Sequence, residues 1–193
     1  MRYVLTTLVV VMFLAMSVSG QGMQSVKDKM MGSIYLGYAL GFGDAFKDIE
    51  GPGYKLETSA GIGFGGMFHY GLTDRLMIGG ELGWQHYGYD YTSDYGVYGS
   101  YSGGDGSTEL NVLANALYVM QYEEEKAFYL NFGGGLYGGD DSNFGIFGGI
   151  LYSKKFGEKI SGFVAPRFHI VFSDPSAMML QVCVGASLPI GNK

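Results

Sequence analysis

The sequence predicts an all-β fold: an eight-stranded antiparallel up-and-down β-barrel that spans a membrane. Three observations carry this expectation. From Ser33 onward side-chain character alternates with period two, the pattern of strands with two unlike faces. The chain holds 34 glycines and 16% aromatic residues. Charged residues make up only 16% of it, against a usual share of about 25%, so neither face is well suited to water.

The glycines follow no three-residue period and prolines number 4, which excludes collagen and a Pro-rich disordered chain. A formal charge of −6 without any Lys/Arg cluster speaks against nucleic acid as a partner. Cys183 is the single cysteine, so the fold has no intrachain disulfide and no cysteine-based zinc site.

Residues 1–20 run from Met1-Arg2 through an apolar stretch, Tyr3 to Met16, broken only by Thr6 and Thr7, to Ser17-Val18-Ser19-Gly20. A basic start, a short apolar core and small residues at the end are the parts of a secretory signal peptide. The run falls short of the roughly 20 residues a spanning helix needs. Residues 21–32 then form a short N-terminal segment ahead of a barrel over 33–190, and without helical spans a membrane-embedded chain must close as a barrel.

Eight alternating segments are legible. Segment 33–43 sets Ile34, Leu36, Tyr38, Leu40 and Phe42 against Ser33, Tyr35, Gly37, Ala39 and Gly41. Segments 59–71 and 75–89 follow, joined by the tight turn Thr73-Asp74-Arg75. Then come 107–121, 126–138, 144–153, 159–171 and 177–190, each with an apolar set opposite a set of Gly, Ser, Asn, Ala and Tyr. The connections at 72–75, 121–126 and 154–158 are short, whereas 44–58 and 90–106 read as long loops rich in Gly, Asp and Tyr. Short turns on one side and longer loops on the other are the pattern of outer-membrane barrels.

A soluble carrier barrel would show the same alternation with its apolar face inward, so the second face decides. Of the 30 charged residues, Glu81 and Arg167 are the only ones in mid-strand. A face so poor in charge suits a crowded interior, which turns the apolar face toward hydrocarbon. Tyr70, Trp84, Tyr118 and Tyr152 then fall near strand ends, where aromatic girdles belong.

Tyr70-Gly-Leu-Thr-Asp-Arg-Leu-Met-Ile-Gly-Gly-Glu-Leu-Gly-Trp84, Leu130-Asn-Phe-Gly-Gly-Gly-Leu-Tyr137 and Gly162-Phe-Val-Ala-Pro-Arg-Phe168 resemble the small outer-membrane barrel domains of the OmpX and OmpA transmembrane type, in versions common in Bacteroidetes-like bacteria. The resemblance covers about the whole mature chain. It implies an integral protein of the cell outer membrane, in contact with outer-membrane lipid and lipopolysaccharide and inserted by the barrel-assembly machinery. The C-terminus departs from the pattern, ending Leu188-Pro189-Ile190-Gly191-Asn192-Lys193 instead of on an aromatic.

Glu81 and Arg167 both belong to the inward set, on strands expected to face each other across the lumen. Their pairing, with Gln85, Asn115, Asn131, His169 and Gln181 completing a polar network, is the expected interior, since a buried charge needs a partner. A structural ion pair is the leading reading, and a gate over a narrow path for small or hydrophobic solutes the alternative, as OmpA-type barrels suggest.

A lipid A-modifying enzyme is the second alternative; it would need a His-activated Ser with a carboxylate. His69, His86 and His169 have no Ser two residues away, and Asp141-Ser142 reads as a turn, so no catalytic residue, cofactor or resident metal is expected. In the loops, Asp90, Asp94, Asp105, Asp140 and Asp141 are hard oxygen ligands that could share divalent cations with lipopolysaccharide phosphates. The run Tyr87 to Tyr101 has the composition of an adaptable binding surface, although no ligand is identifiable. Cys183 is expected to point inward and to be inert, for want of an electropositive neighbour.

Overall fold

The computed structural model describes residues 25–42, 46, 49–51, 54–94, 100–138, 142–157, 159–174 and 176–190. The expected signal peptide therefore lies outside the described residues. Among the described residues nine strands form: β1 (Met30–Phe42), β2 (Ile49–Gly51), β3 (Tyr54–Gly71), β4 (Leu76–Asp94), β5 (Ser100–Tyr122), β6 (Lys126–Gly138), β7 (Ser142–Lys155), β8 (Ser161–Val171) and β9 (Ala177–Ile190). Every pairing is antiparallel, and each strand neighbours the next except that β1 pairs with both β3 and β9. That double pairing closes eight strands into a barrel. The three-residue β2 pairs with β3 alone, above the wall.

The two faces separate as alternation requires. Ile34, Leu36, Tyr38, Leu40 and Phe42 are exposed while Tyr35 and Ala39 are buried, and the other strands repeat this division. An apolar band thus faces outward all round. Aromatic groups mark both of its ends: Phe128 meets Tyr152 at 4.7 Å between ring centroids near the short turns, while Phe64, Trp84 and His86 form one run and Phe144 and Phe172 another toward the far end.

Several boundaries differ from the sequence reading. Strand β1 begins at Met30 rather than 33. Ahead of it, within the expected short N-terminal segment, Ser25–Lys29 crosses the short-turn mouth: Val26 N–H donates to Asp74 O (3.2 Å) and Asp28 N–H to Gly71 O (2.8 Å). Val26 is 1% exposed and packs with Met31 and Met77. Asp28 adopts φ 60°, a left-handed conformation that a short polar residue tolerates, and its carboxylate accepts the Tyr70 hydroxyl at 2.7 Å.

The expected loops 44–58 and 90–106 are largely strand. β3 starts at Tyr54, β4 continues to Asp94, and β5 resumes at Ser100 with pairs running from Leu76↔Tyr118 to Asp94↔Ser100. Gly, Ser and Asp suggest a loop in isolation. Once Leu76 to His86 is registered against β5, each further pair extends an existing ladder, and Tyr and Thr tolerate strand geometry well. The β4–β5 hairpin therefore rises beyond the wall.

Candidate functional site: the polar layer in the lumen

The lumen is filled in three layers. At the short-turn side lie Met67, Met77, Leu117, Val119, Leu151 and Phe163; at the far side lie Tyr87, Leu113, Tyr137, Phe147, Val171 and Met179. Between them sits the charge pair that mid-strand placement in the sequence singles out. Arg167 Nη1 donates to Glu81 Oε2 at 2.6 Å, with Arg167 1% and Glu81 4% exposed.

Both carboxylate oxygens of Glu81 are occupied. The Tyr35 hydroxyl donates to Oε1 at 2.6 Å, and the Asn115 amide donates to Oε2 at 3.0 Å. Tyr35 reaches the carboxylate because Gly65 and Gly83 lie beside it: a Cβ on Gly65 would stand 2.5 Å from the Tyr35 oxygen. Arg167 Nη2 donates to Gln181 Oε1 and to Cys183 Sγ, each at 2.9 Å. The guanidinium also lies 5.2 Å from the Tyr35 ring centroid and 5.3 Å from that of Phe147, a cation–π sandwich.

Gln85 joins at the edge, accepting a 3.4 Å bond from Gln181 Nε2. His169 stands apart from this set: its Nδ1 lies 2.7 Å from the Tyr137 hydroxyl, and its ring stacks on Phe147 at 5.3 Å. Asn131 is buried in the same barrel, yet its amide makes no hydrogen bond to any described residue. Five of the seven expected residues thus form one bonded cluster, and two do not.

The cluster includes two members that sequence reasoning did not place there. Tyr35 looked like one of many inward tyrosines, since alternation gives a face but no level. Cys183 does have an electropositive neighbour, Arg167, which corrects the expectation that it lacks one. It remains fully buried. A buried pair of this kind is costly to desolvate and is tolerable because both carboxylate oxygens and both terminal guanidinium nitrogens are hydrogen-bonded, Arg167 Nε having no partner among the described residues.

The aspartates expected to share cations are not brought together. Asp90 pairs with Gly104 and Asp105 with Tyr89, which puts the two on opposite faces of the hairpin, and Asp105 accepts the Gly106 N–H at 2.8 Å. Strand alternation forces this separation. Asp140 and Asp141 lie outside the described residues, and of Asp94 only the backbone is described. Among the described residues there is no group of three or more metal-ligating side chains.

No family model matches the chain, and no curated protein matches it. Among solved structures, it is similar to the outer membrane protein OprG from Pseudomonas aeruginosa, with a TM-score of 0.58 and 10% identity over 88% of this chain and 99% of that one. A de novo designed transmembrane β-barrel gives a TM-score of 0.46 at 12% identity, over 87% of this chain and 100% of that one. The translocator domain of the autotransporter NalP from Neisseria meningitidis gives 0.40 at 9%, over 89% and 90%. The OprG likeness is one of fold, that of an outer-membrane barrel.

Proposed function

We propose that this chain is a non-enzymatic integral protein of the outer membrane of a Gram-negative-type bacterium, a sealed barrel that carries an interaction surface outside the cell. One observation supports this above others: β5 keeps β4 as a partner from Ser100 to Tyr118, but among the described residues β6 pairs with it only from Leu110 downward. Among the described residues Ser100–Glu109 therefore has no strand partner along one backbone edge, on a sheet raised above the wall, and such an edge is a ready template for an extended segment of another molecule. The outward apolar band with aromatic groups at both ends supports membrane insertion.

Asymmetric height supports the orientation, with the short turns and the N-terminal crossing on the periplasmic side. The packed lumen weighs against a channel. A cysteine placed at Thr92 or Ser102, both exposed in the hairpin, tests location and orientation together. Labelling of intact cells by a membrane-impermeant maleimide is the expected result; labelling only after lysis would overturn it. An unchanged lipid A mass spectrum on deletion is the outcome expected of a non-enzyme.

A further inference from the structure

His69 is a buried polar side chain that the packing of the barrel does not account for. It is 0% exposed, and neither ring nitrogen has a hydrogen-bond partner among the described residues. Each imidazole nitrogen is a donor or an acceptor. Leaving both unmatched in a closed interior costs free energy that an apolar side chain of similar size would not incur. A group placed in this way points to a ligand.

The registers show which side chains surround it. Met31 on β1 is its direct cross-strand partner. On β4 its partner is Gly79, which has no side chain, and Met77 is a diagonal neighbour through the Gly71↔Met77 pair. Direct partners hold their Cβ atoms about 4.5–5.5 Å apart and diagonal ones lie within about 7–8 Å, spans that a flexible methionine side chain bridges. Met77 is 3% exposed, and Met31 and Val26 pack in the same cluster. Beyond Gly79, on the same rung, stands Asn115. Its amide nitrogen donates to Glu81, whereas its Oδ1 is buried without a partner among the described residues.

Two thioethers and an imidazole are a recognisable donor set. Thioether sulfur selects soft ions, copper(I) among them, and imidazole suits copper as well. All three donors are neutral, and a buried neutral set offsets a single positive charge more readily than a double one; the buried Glu81 carboxylate is already committed to Arg167. Gap-filling in an irregular core would account for the methionines alone, but not for an imidazole among them with both nitrogens unmatched. The site also has an approach. Met31 and Met77 line a cavity of about 360 Å³ at the short-turn mouth, whose rim mixes Glu123 and Glu125 with Lys126 and Lys159.

We propose that Met31, Met77 and His69 form a binding site for one soft monovalent metal ion of the copper(I) class, entered from the short-turn mouth. The two methionine sulfurs and one ring nitrogen of His69 are the ligands. The other ring nitrogen donates to Asn115 Oδ1, the kind of outer partner that orients a ligating histidine. The site requires only the closed barrel, so it stands or falls separately from the outer-membrane reading.

The test uses the full chain folded in detergent micelles and silver(I), which shares the ligand preference of copper(I) and is stable in air. A Cys183→Ala background keeps the thiol from competing for the ion. Calorimetry reads the uptake, and NMR of methionine methyl carbons and histidine ring nitrogens reads its place. The expected result is one silver ion per chain, with the Met31 and Met77 methyl signals and one His69 ring nitrogen shifting together, and no comparable uptake of zinc(II). Met31→Leu with Met77→Leu should weaken binding by on the order of a hundredfold, the upper range for losing even an outer partner of a ligand. Methionine-to-leucine exchange conserves volume, so the barrel still folds, checked by heat-modifiable gel migration. Absence of silver uptake, unchanged affinity in the double variant, or shifts confined to other methionines overturns the proposal. Zinc(II) bound as tightly as silver(I) overturns the assigned ion class.

Discussion

Arg167 is the side chain on which the interior is organised. It donates to Glu81, Gln181 and Cys183 and lies between two rings. Arg167→Met would leave the Glu81 carboxylate buried with only neutral donors, at an expected cost of about 3–5 kcal/mol. Urea unfolding in lipid vesicles would measure it. Adding Glu81→Leu should recover most of that loss, because a buried pair replaced by apolar groups is often close to neutral. If the double variant were as unstable as the sum of the singles, the two groups would not be coupled. Glu81 and Arg167 were legible in the sequence since mid-strand charge is rare in this chain. Tyr35 and Cys183 were not, because side-chain alternation carries no information about height in the lumen.

Adjacent residues in one strand can have opposite tolerance. Gly79 and Gly80 of β4 face inward and outward, with hypothetical Cβ contacts of 1.7 and 3.8 Å. Gly79→Ala should therefore destabilise the barrel by about 1–3 kcal/mol through overpacking, while Gly80→Ala should be neutral or slightly stabilising. Parallel unfolding curves decide this, and equal effects would contradict the assigned faces.

The β5–β6 turn carries a pH-dependent contribution. The Gln121 amide and then Lys126 hold the Glu123 carboxyl below its ordinary 4.5. Since the folded value is depressed, the stabilisation is present above the unfolded carboxylate range and is lost as pH falls through the lower folded value. NMR titration should place the Glu123 midpoint below 4.5, and Lys126→Gln should raise it. The short turns were legible from composition, unlike the β4–β5 hairpin, whose extension depends on pairing already established below it.

At the level of the closed barrel, packing decides permeability. Apolar layers lie on both sides of the Glu81–Arg167 layer, so planar bilayers containing the chain should show conductance at background. Loss of the ion pair in Glu81→Ala should not open a path, since both apolar layers remain. Steady single-channel currents from the wild-type chain would restore the channel reading. Among the described residues closure also leaves few free edges: β1 is paired on both sides, while Ser100–Glu109 is paired on one. Alternate amides over that stretch should exchange with deuterium rapidly, and uniform protection would show the edge to be covered.

Period-two alternation and scarcity of charge established the strands, their two faces and the inward placement of Glu81 and Arg167, because these depend only on the order of side chains along an extended backbone. Closure through β1, the stagger between strands, the layer each inward residue joins, the crossing of Val26 under the mouth and the height of the β4–β5 sheet were decided by tertiary structure. They depend on register between segments far apart in sequence, which is fixed only when all eight strands pair and their inward side chains must share one narrow lumen.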